Sequence, residues 1–194
     1  MKFIIISYSR FYLLFQMPTE GATPDDKPIC EVVLKNSVVK GYHVYKVKPP
    51  MTNPATRLVV QREYSNPRDP SACLVWVPPL SDMPEDIHDM YTDIKCFLKV
   101  SDIADLPVGH VPLGFSGSFR AFLEKGCAIT CEPIGLPCPM ASFPPWPQLQ
   151  GKGGGAVIPC DYFIQCTSNL VEYVKKELKS AVGKMKEKDA MSIQ

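Results

Sequence analysis

The chain has 194 residues, 45% of them hydrophobic, and a formal net charge of +1. That length suits one domain of the usual ~100–200 residues and excludes a second full one, while the ordinary apolar share excludes global disorder. The total charge decides little, but its distribution is uneven: residues 27–77 carry eight Lys or Arg against three Asp or Glu, and residues 78–107 carry seven acids against two bases. The first stretch is suited to face an anion; the second reads as a solvated acidic loop.

Residues 1–16 hold an apolar run broken by Ser7, Ser9 and Arg10, with no clear small-residue cleavage site after it. A leader or an extra strand is therefore expected in preference to a signal peptide. No stretch reaches the ~18–20 apolar residues that span a bilayer, so the sequence predicts a soluble protein with no membrane partner. Residues 18–28, polar and interrupted by Gly21 and Pro24, read as a linker, and the domain is expected to begin near Ile29.

Twenty prolines cluster at 49–54, 67–84 and 133–147. Proline lacks the backbone donor that helices and central strands need, so these clusters predict loops around short β-branched and aromatic runs. In chain order, strands are expected at 30–39 and at 41–47 (GYHVYKV), the second placing Tyr42, Val44 and Lys46 on one face and His43, Tyr45 and Val47 on the other, with Gly41 as a bend. Further strands are expected at 57–64 and 73–77, joined by the turn Ser65-Asn66-Pro67-Arg68-Asp69-Pro70.

Residues 78–107 are longer than a strand connection needs and read as an acidic insertion, with a short helix expected from the spacing of Ile87, Met90, Ile94 and Leu98. A strand at 108–113 precedes a helix at 116–126, capped by Ser116 or Ser118 and ended by Gly126. A strand at 127–135, a Pro/Gly-rich loop at 136–155 and a strand at 156–166 follow. A final helix is capped by Ser168 or Asn169, with Leu170, Val174, Leu178 and Val182 along one face, and 184–194 is a charged tail. The expected fold is mainly β with minor α: a small OB-like β-barrel of about six strands over 29–183, with one internal helix and a C-terminal amphipathic helix, since closure removes exposed edges.

Several chemistries lack their motifs. GKGGG at 151–155 has neither the spacing nor the preceding strand of a phosphate-binding loop, and GFSGS at 114–118 has Ser118 where a nucleophile elbow needs glycine. His43, His88 and His110 show no zincin spacing, and no carboxylate cluster for paired magnesium ions is visible. The eight cysteines, Cys30, Cys73, Cys96, Cys127, Cys131, Cys138, Cys160 and Cys166, include no two-residue knuckle spacing. Buried reduced thiols are the expected state, with structural zinc and disulfides as the alternatives.

Three segments remain that combine aromatic faces, cationic charge, a turn and an imidazole: 41–45, 62–69 and 109–112. Together they suit a nucleotide backbone with a stacked base. Each part also has a plain structural reading. Asn66 and Asp69 are turn formers, one of Tyr42 and Tyr45 is expected in the core, and His110 serves equally as a satisfied structural imidazole or a phosphate contact.

Gly41-Tyr42-His43-Val44-Tyr45, then Gln61-Arg62-Glu63 with Asn66-Pro67-Arg68-Asp69, then Val108-Gly109-His110-Val111-Pro112 followed by a helix, resembles the HIRAN domain, especially its stand-alone versions, over roughly residues 30–182. The resemblance implies an OB-like barrel and recognition of single-stranded DNA, particularly a free 3′ end, in nuclear proteins of DNA repair and replication-fork processing; a cytoplasmic setting stays open. It places Asp69 on the terminal 3′ hydroxyl, Tyr45 on a base, His110 on phosphate and Asn66 as the brace of the loop, with Arg62 and Arg68 as the cations of the nucleic-acid-binding set. Position 68, often aromatic in DNA-binding members, is Arg here, which can stack through its guanidinium plane or bind phosphate. Two other readings stand beside this one. The chain could be a protein-interaction adaptor working through Trp146 in the 143–147 loop or through the C-terminal helix, or, by family association alone, a hydrolase acting on acid anhydrides or nucleic acid.

Overall fold

The computed structural model describes residues 28–52, 55–93, 95, 97–139 and 155–194. Its longest strands, β1 (Ile29–Val39) and β9 (Ala156–Thr167), pair antiparallel from Ile29↔Thr167 to Val39↔Ile158. β9 reads VIPCDYFI without apolar–polar alternation because it is buried on both faces between β1 and β7 (Ala128–Pro133). A bulge between Leu34 and Ser37 interrupts β1, where Asn36 takes φ 59°. Asp161 holds the bulge by accepting from Lys35 Nζ (2.7 Å) and from the Asn36 backbone N–H (2.8 Å).

The sheet continues through β2 (Leu58–Arg62), β3 (Cys73–Trp76) and β6 (Pro107–His110), with β8 (Cys138–Pro139) on β9 and β10 (Ser192–Ile193) on β1. Its order is β10-β1-β9-β7-β2-β3-β6, and all its pairings are antiparallel. Beyond β1, Lys40 forms one bridge to His110 at the end of β6, with reciprocal backbone hydrogen bonds of 2.8 and 2.7 Å. β1 and β6 therefore meet at a seam one residue pair long. The continuous ladder expected of a closed OB-like barrel is not formed, because the chain turns away at Gly41 immediately after the bridge.

Two helices pack against the sheet and each other: α3 (Leu113–Glu124) and α4 (Val171–Gly183). Phe115, Phe119 and Phe122 of α3 are fully buried, and Phe119 meets the Tyr162 ring edge-on at 5.0 Å. The buried Tyr162 hydroxyl donates to the Val38 carbonyl (3.1 Å), tying the middle of β9 to β1. α4 buries Val174 and Leu178 of the expected stripe, with Ala181 beside them, whereas Val182 is half-buried and Leu170 stands at the N-cap.

Four local expectations are corrected. Residues 41–47 are not a strand: Gly41 (φ 81°) and Lys46 (φ 57°), both left-handed, bracket the short helix α1 (Tyr42–Tyr45), and Pro49 and Pro50 follow. The helix expected across 87–98 is a 3-10 turn at Glu85–Ile87, then the hairpin β4 (Tyr91–Asp93) and β5 (Leu98–Lys99), then α2 (Val100–Ile103). The Lys95 backbone N–H bonds Asp93 Oδ1 and Phe97 takes φ 54°, so the chain reverses where a helix would continue; Ile94 lies outside the described residues. α3 starts at Leu113 because Pro112 ends the preceding segment, and Ser116 is buried within it, donating to the Leu113 carbonyl (2.9 Å), so neither serine caps it. α4 likewise begins after a 3-10 turn at Ser168–Leu170, with Leu170 at its N-cap and no side-chain cap.

The number of strands also exceeds about six, because β4, β5, β8 and β10 are too short to read from a pattern. In the stretch 184–194, Glu187 and Met191 are buried and β10 extends the sheet. Among the described residues no helix is long and apolar enough to cross a membrane.

The seven described cysteines are free thiols; Cys96 lies outside the described residues. Burial pushes the Cys73 and Cys127 thiols up to about 11. The fold thus retains these protons more tightly than the unfolded chain does. Stability from this source is intact below the ordinary thiol range and lost as pH rises from there through about 11, a loss that urea unfolding between pH 8 and 11 measures, with Cys73→Ala flattening the slope.

Candidate nucleic-acid interface

The bridge between Lys40 and His110 organises the candidate site, and two glycines permit it. A Cβ on Gly109 would run into the Lys40 carbonyl oxygen and approach Val39 Cγ1 to 2.7 Å, so only glycine lets β6 lie this close to the end of β1. Gly41 uses a left-handed φ to bend the chain back over His110, whose Nδ1 lies 3.5 Å from where its Cβ would be. The bend starts α1, in which Tyr42 and Tyr45, three apart, pack partly buried against the core, in place of the opposite faces a strand would impose. The Tyr45 and His110 rings meet with centroids 5.7 Å apart at 48°.

His110 Nε2 is 2.9 Å from Glu63 Oε2, and the same oxygen accepts from Asn66 Nδ2 at 2.6 Å. A carboxylate only accepts, so Nε2 carries the proton and Nδ1 is the nitrogen turned toward Gly41. Burial, then the Glu63 charge, pushes the Tyr45 hydroxyl up from its ordinary value, so it stays protonated as a donor at neutral pH.

Asn66 Oδ1 accepts the backbone N–H groups of Arg68 (2.9 Å) and Asp69 (3.0 Å), and Asp69 Oδ1 accepts from the Ser71 N–H (2.8 Å). The turn is closed by Ala72 N–H to the Asp69 carbonyl and Glu63 N–H to the Ala72 carbonyl. Asn66 and Asp69 therefore both carry the turn-forming role read from their residue types. Asp69 is half-buried, and among the described residues its Oδ2 accepts no hydrogen bond; Arg68 is exposed and in no ion pair among them.

A ring contact and hydrogen bonds thus connect Tyr45, His110, Glu63 and Asn66, and through the Asn66 side chain the backbone of Arg68 and Asp69. Arg62 is directed elsewhere: it reaches α3, bonding Glu124 Oε1 (2.6 Å) and the Pro70 carbonyl (3.0 Å), and lies under the Tyr64 ring at 4.7 Å. Glu63 was not legible as a site residue. It stands in the Gln61-Arg62-Glu63 segment as an acid in a basic stretch, three residues before Asn66, but nothing in the sequence gives it a role.

The other binding surfaces expected from the sequence fare differently. Trp146 and the rest of 143–147 lie outside the described residues. The apolar stripe of the C-terminal helix is covered by the protein's own α3 and β1, which removes the amphipathic face as a ground for partner binding. Among the described residues no three His, Cys, Asp or Glu side chains gather as a metal site.

The chain matches no protein-family model and no curated protein. Among solved structures it is similar to the crystal structure of the HIRAN domain of human HLTF, at 14% sequence identity and a TM-score of 0.45, over 78% of this chain and 92% of that one.

Proposed function

We propose that this chain is a nucleic-acid-binding module that takes the end of a single strand on the wall of Tyr45, His110 and the 66–69 turn. The observation that carries the reading is the ring pair Tyr45–His110, fixed through Glu63 to a turn that presents a cation, Arg68, and a half-buried carboxylate, Asp69. An aromatic face, a proton-bearing imidazole and a guanidinium are the groups that meet a base and its phosphates. A carboxylate beside them repels phosphate but accepts from a hydroxyl, which favours a strand terminus with a free 3′ hydroxyl over continuous backbone.

In this reading Tyr45 stacks the terminal base, Asp69 Oδ2 accepts a hydrogen bond from the 3′ hydroxyl, Arg68 takes a phosphate, and His110 contacts a phosphate in its charged form, with Nδ1 protonated as well as Nε2, while Asn66 braces the loop. The Lys40–His110 seam acts as the closure point of an OB-like barrel, and the cellular setting is nuclear end processing in DNA repair or at replication forks.

Fluorescence anisotropy with matched oligonucleotides ending in a 3′ hydroxyl or a 3′ phosphate tests this reading. The hydroxyl form is expected to bind more tightly, with a log–log salt slope of about −1.4 for the two phosphates placed on His110 and Arg68. Asp69→Ala is expected to cut the hydroxyl preference by about ten-fold, the order of a lost charge-assisted hydrogen bond. Equal and negligible binding of both oligonucleotides overturns the proposal.

A further inference from the structure

Tyr64 has 83% of its surface exposed, the largest fraction of any exposed large apolar side chain among the described residues. The ring is nevertheless held. One face lies on the Arg62 guanidinium (4.7 Å), and that guanidinium is itself pinned by Glu124 Oε1 at 2.6 Å and the Pro70 carbonyl at 3.0 Å, with the Arg62 side chain only 15% exposed. Arg120 Nε approaches the same Glu124 oxygen at 3.8 Å, so two guanidinium groups share one carboxylate. The Nε atoms of both arginines are buried with no hydrogen-bond partner among the described residues.

The location follows from the chain. Arg62 and Tyr64 point to the α3 side, whereas Glu63 between them points to His110, so the 63–72 turn separates two aromatic surfaces. Arg68, exposed, lies in the turn between them.

We propose that Tyr64, backed by Arg62 and Arg120, is a second base-stacking position for single-stranded nucleic acid, taking a nucleotide upstream of the one at Tyr45 as the strand crosses the turn over Arg68. This deepens the reading of the chain as a strand-end binder and rests on it. A ring with one face occupied by a fixed cation and the other in water offers a base a preorganised partner, and stacking of this kind tolerates every base. The ligand class is therefore an oligonucleotide of several residues, not a mononucleotide.

The test uses the full chain and 3′-hydroxyl oligonucleotides carrying 2-aminopurine at the terminal position or at one of the next three. The wild type is expected to change the probe's fluorescence at the terminal position and at one internal position. Tyr64→Ala, at an exposed site, is expected to abolish the internal change, leave the terminal one and weaken affinity about ten-fold, while Tyr64→Phe keeps all three at wild-type values. Wild-type affinity and an unchanged internal signal in Tyr64→Ala would overturn the second position while leaving strand binding intact. If no oligonucleotide binds the wild type, strand binding itself falls, and the second position with it.

Discussion

Gly109→Ala is expected to lower stability by about 1–3 kcal/mol, near the upper end because the added methyl meets backbone that cannot rotate away. The new Cβ would run into the Lys40 carbonyl oxygen and press on Val39 Cγ1, both fixed by pairing in β1 and the bridge. The strain is relieved only by parting β1 from β6. His110 moves with β6, so its ring leaves Tyr45 and its Nε2 leaves Glu63. Urea unfolding monitored by tryptophan fluorescence reads the first effect, and oligonucleotide anisotropy reads the second. Gly117→Ala, where an added Cβ meets nothing within 4 Å, is the control expected to leave both unchanged or slightly improved, as alanine favours the helix.

Glu63→Leu carries the other large effect. One carboxylate oxygen accepts from both His110 Nε2 and Asn66 Nδ2, and Glu63 and His110 have side chains 20% and 29% exposed. Leucine fills the volume but leaves two partly buried donors without an acceptor, at an expected cost of about 2–3 kcal/mol. Binding is expected to fall by more than ten-fold, because the ring that faces the ligand and the side chain that shapes the turn both lose their anchor. Glu63→Gln retains one acceptor oxygen and is expected to be intermediate in both measurements. Equal stability of Glu63→Leu and the wild type would show that the carboxylate does not hold the wall together.

The parts of the fold that were legible are those with a local signature. Val174, Leu178 and the helical spacing around them announce α4; the apolar run 156–166 announces β9; Gly126 marks the end of α3, whose start lies three residues ahead of the expected one. What was not legible depends on residues far apart in the chain. GYHVYKV has the composition of a strand, but β1 has already met β6 at Lys40, and the left-handed Gly41 then directs the next residues into a helical turn. The turn of Asn66 and Asp69 follows from residue type alone, whereas its connection to His110 runs through Glu63, a contact across 47 positions of sequence. Arg62 reads as a free cation in sequence and becomes the support of Tyr64 only once α3 brings Glu124 to it.

Chemical-shift mapping of the full chain with a 3′-hydroxyl oligonucleotide tests the central claim most directly. Shifts are expected at residues 41–45, 63–72 and 109–110, with the His110 ring among the largest. Shifts confined to another surface, such as the groove between α3 and α4 lined by Gly114, Gly117 and Ser180, would contradict the account, as would a His110 ring that saturating oligonucleotide leaves unmoved.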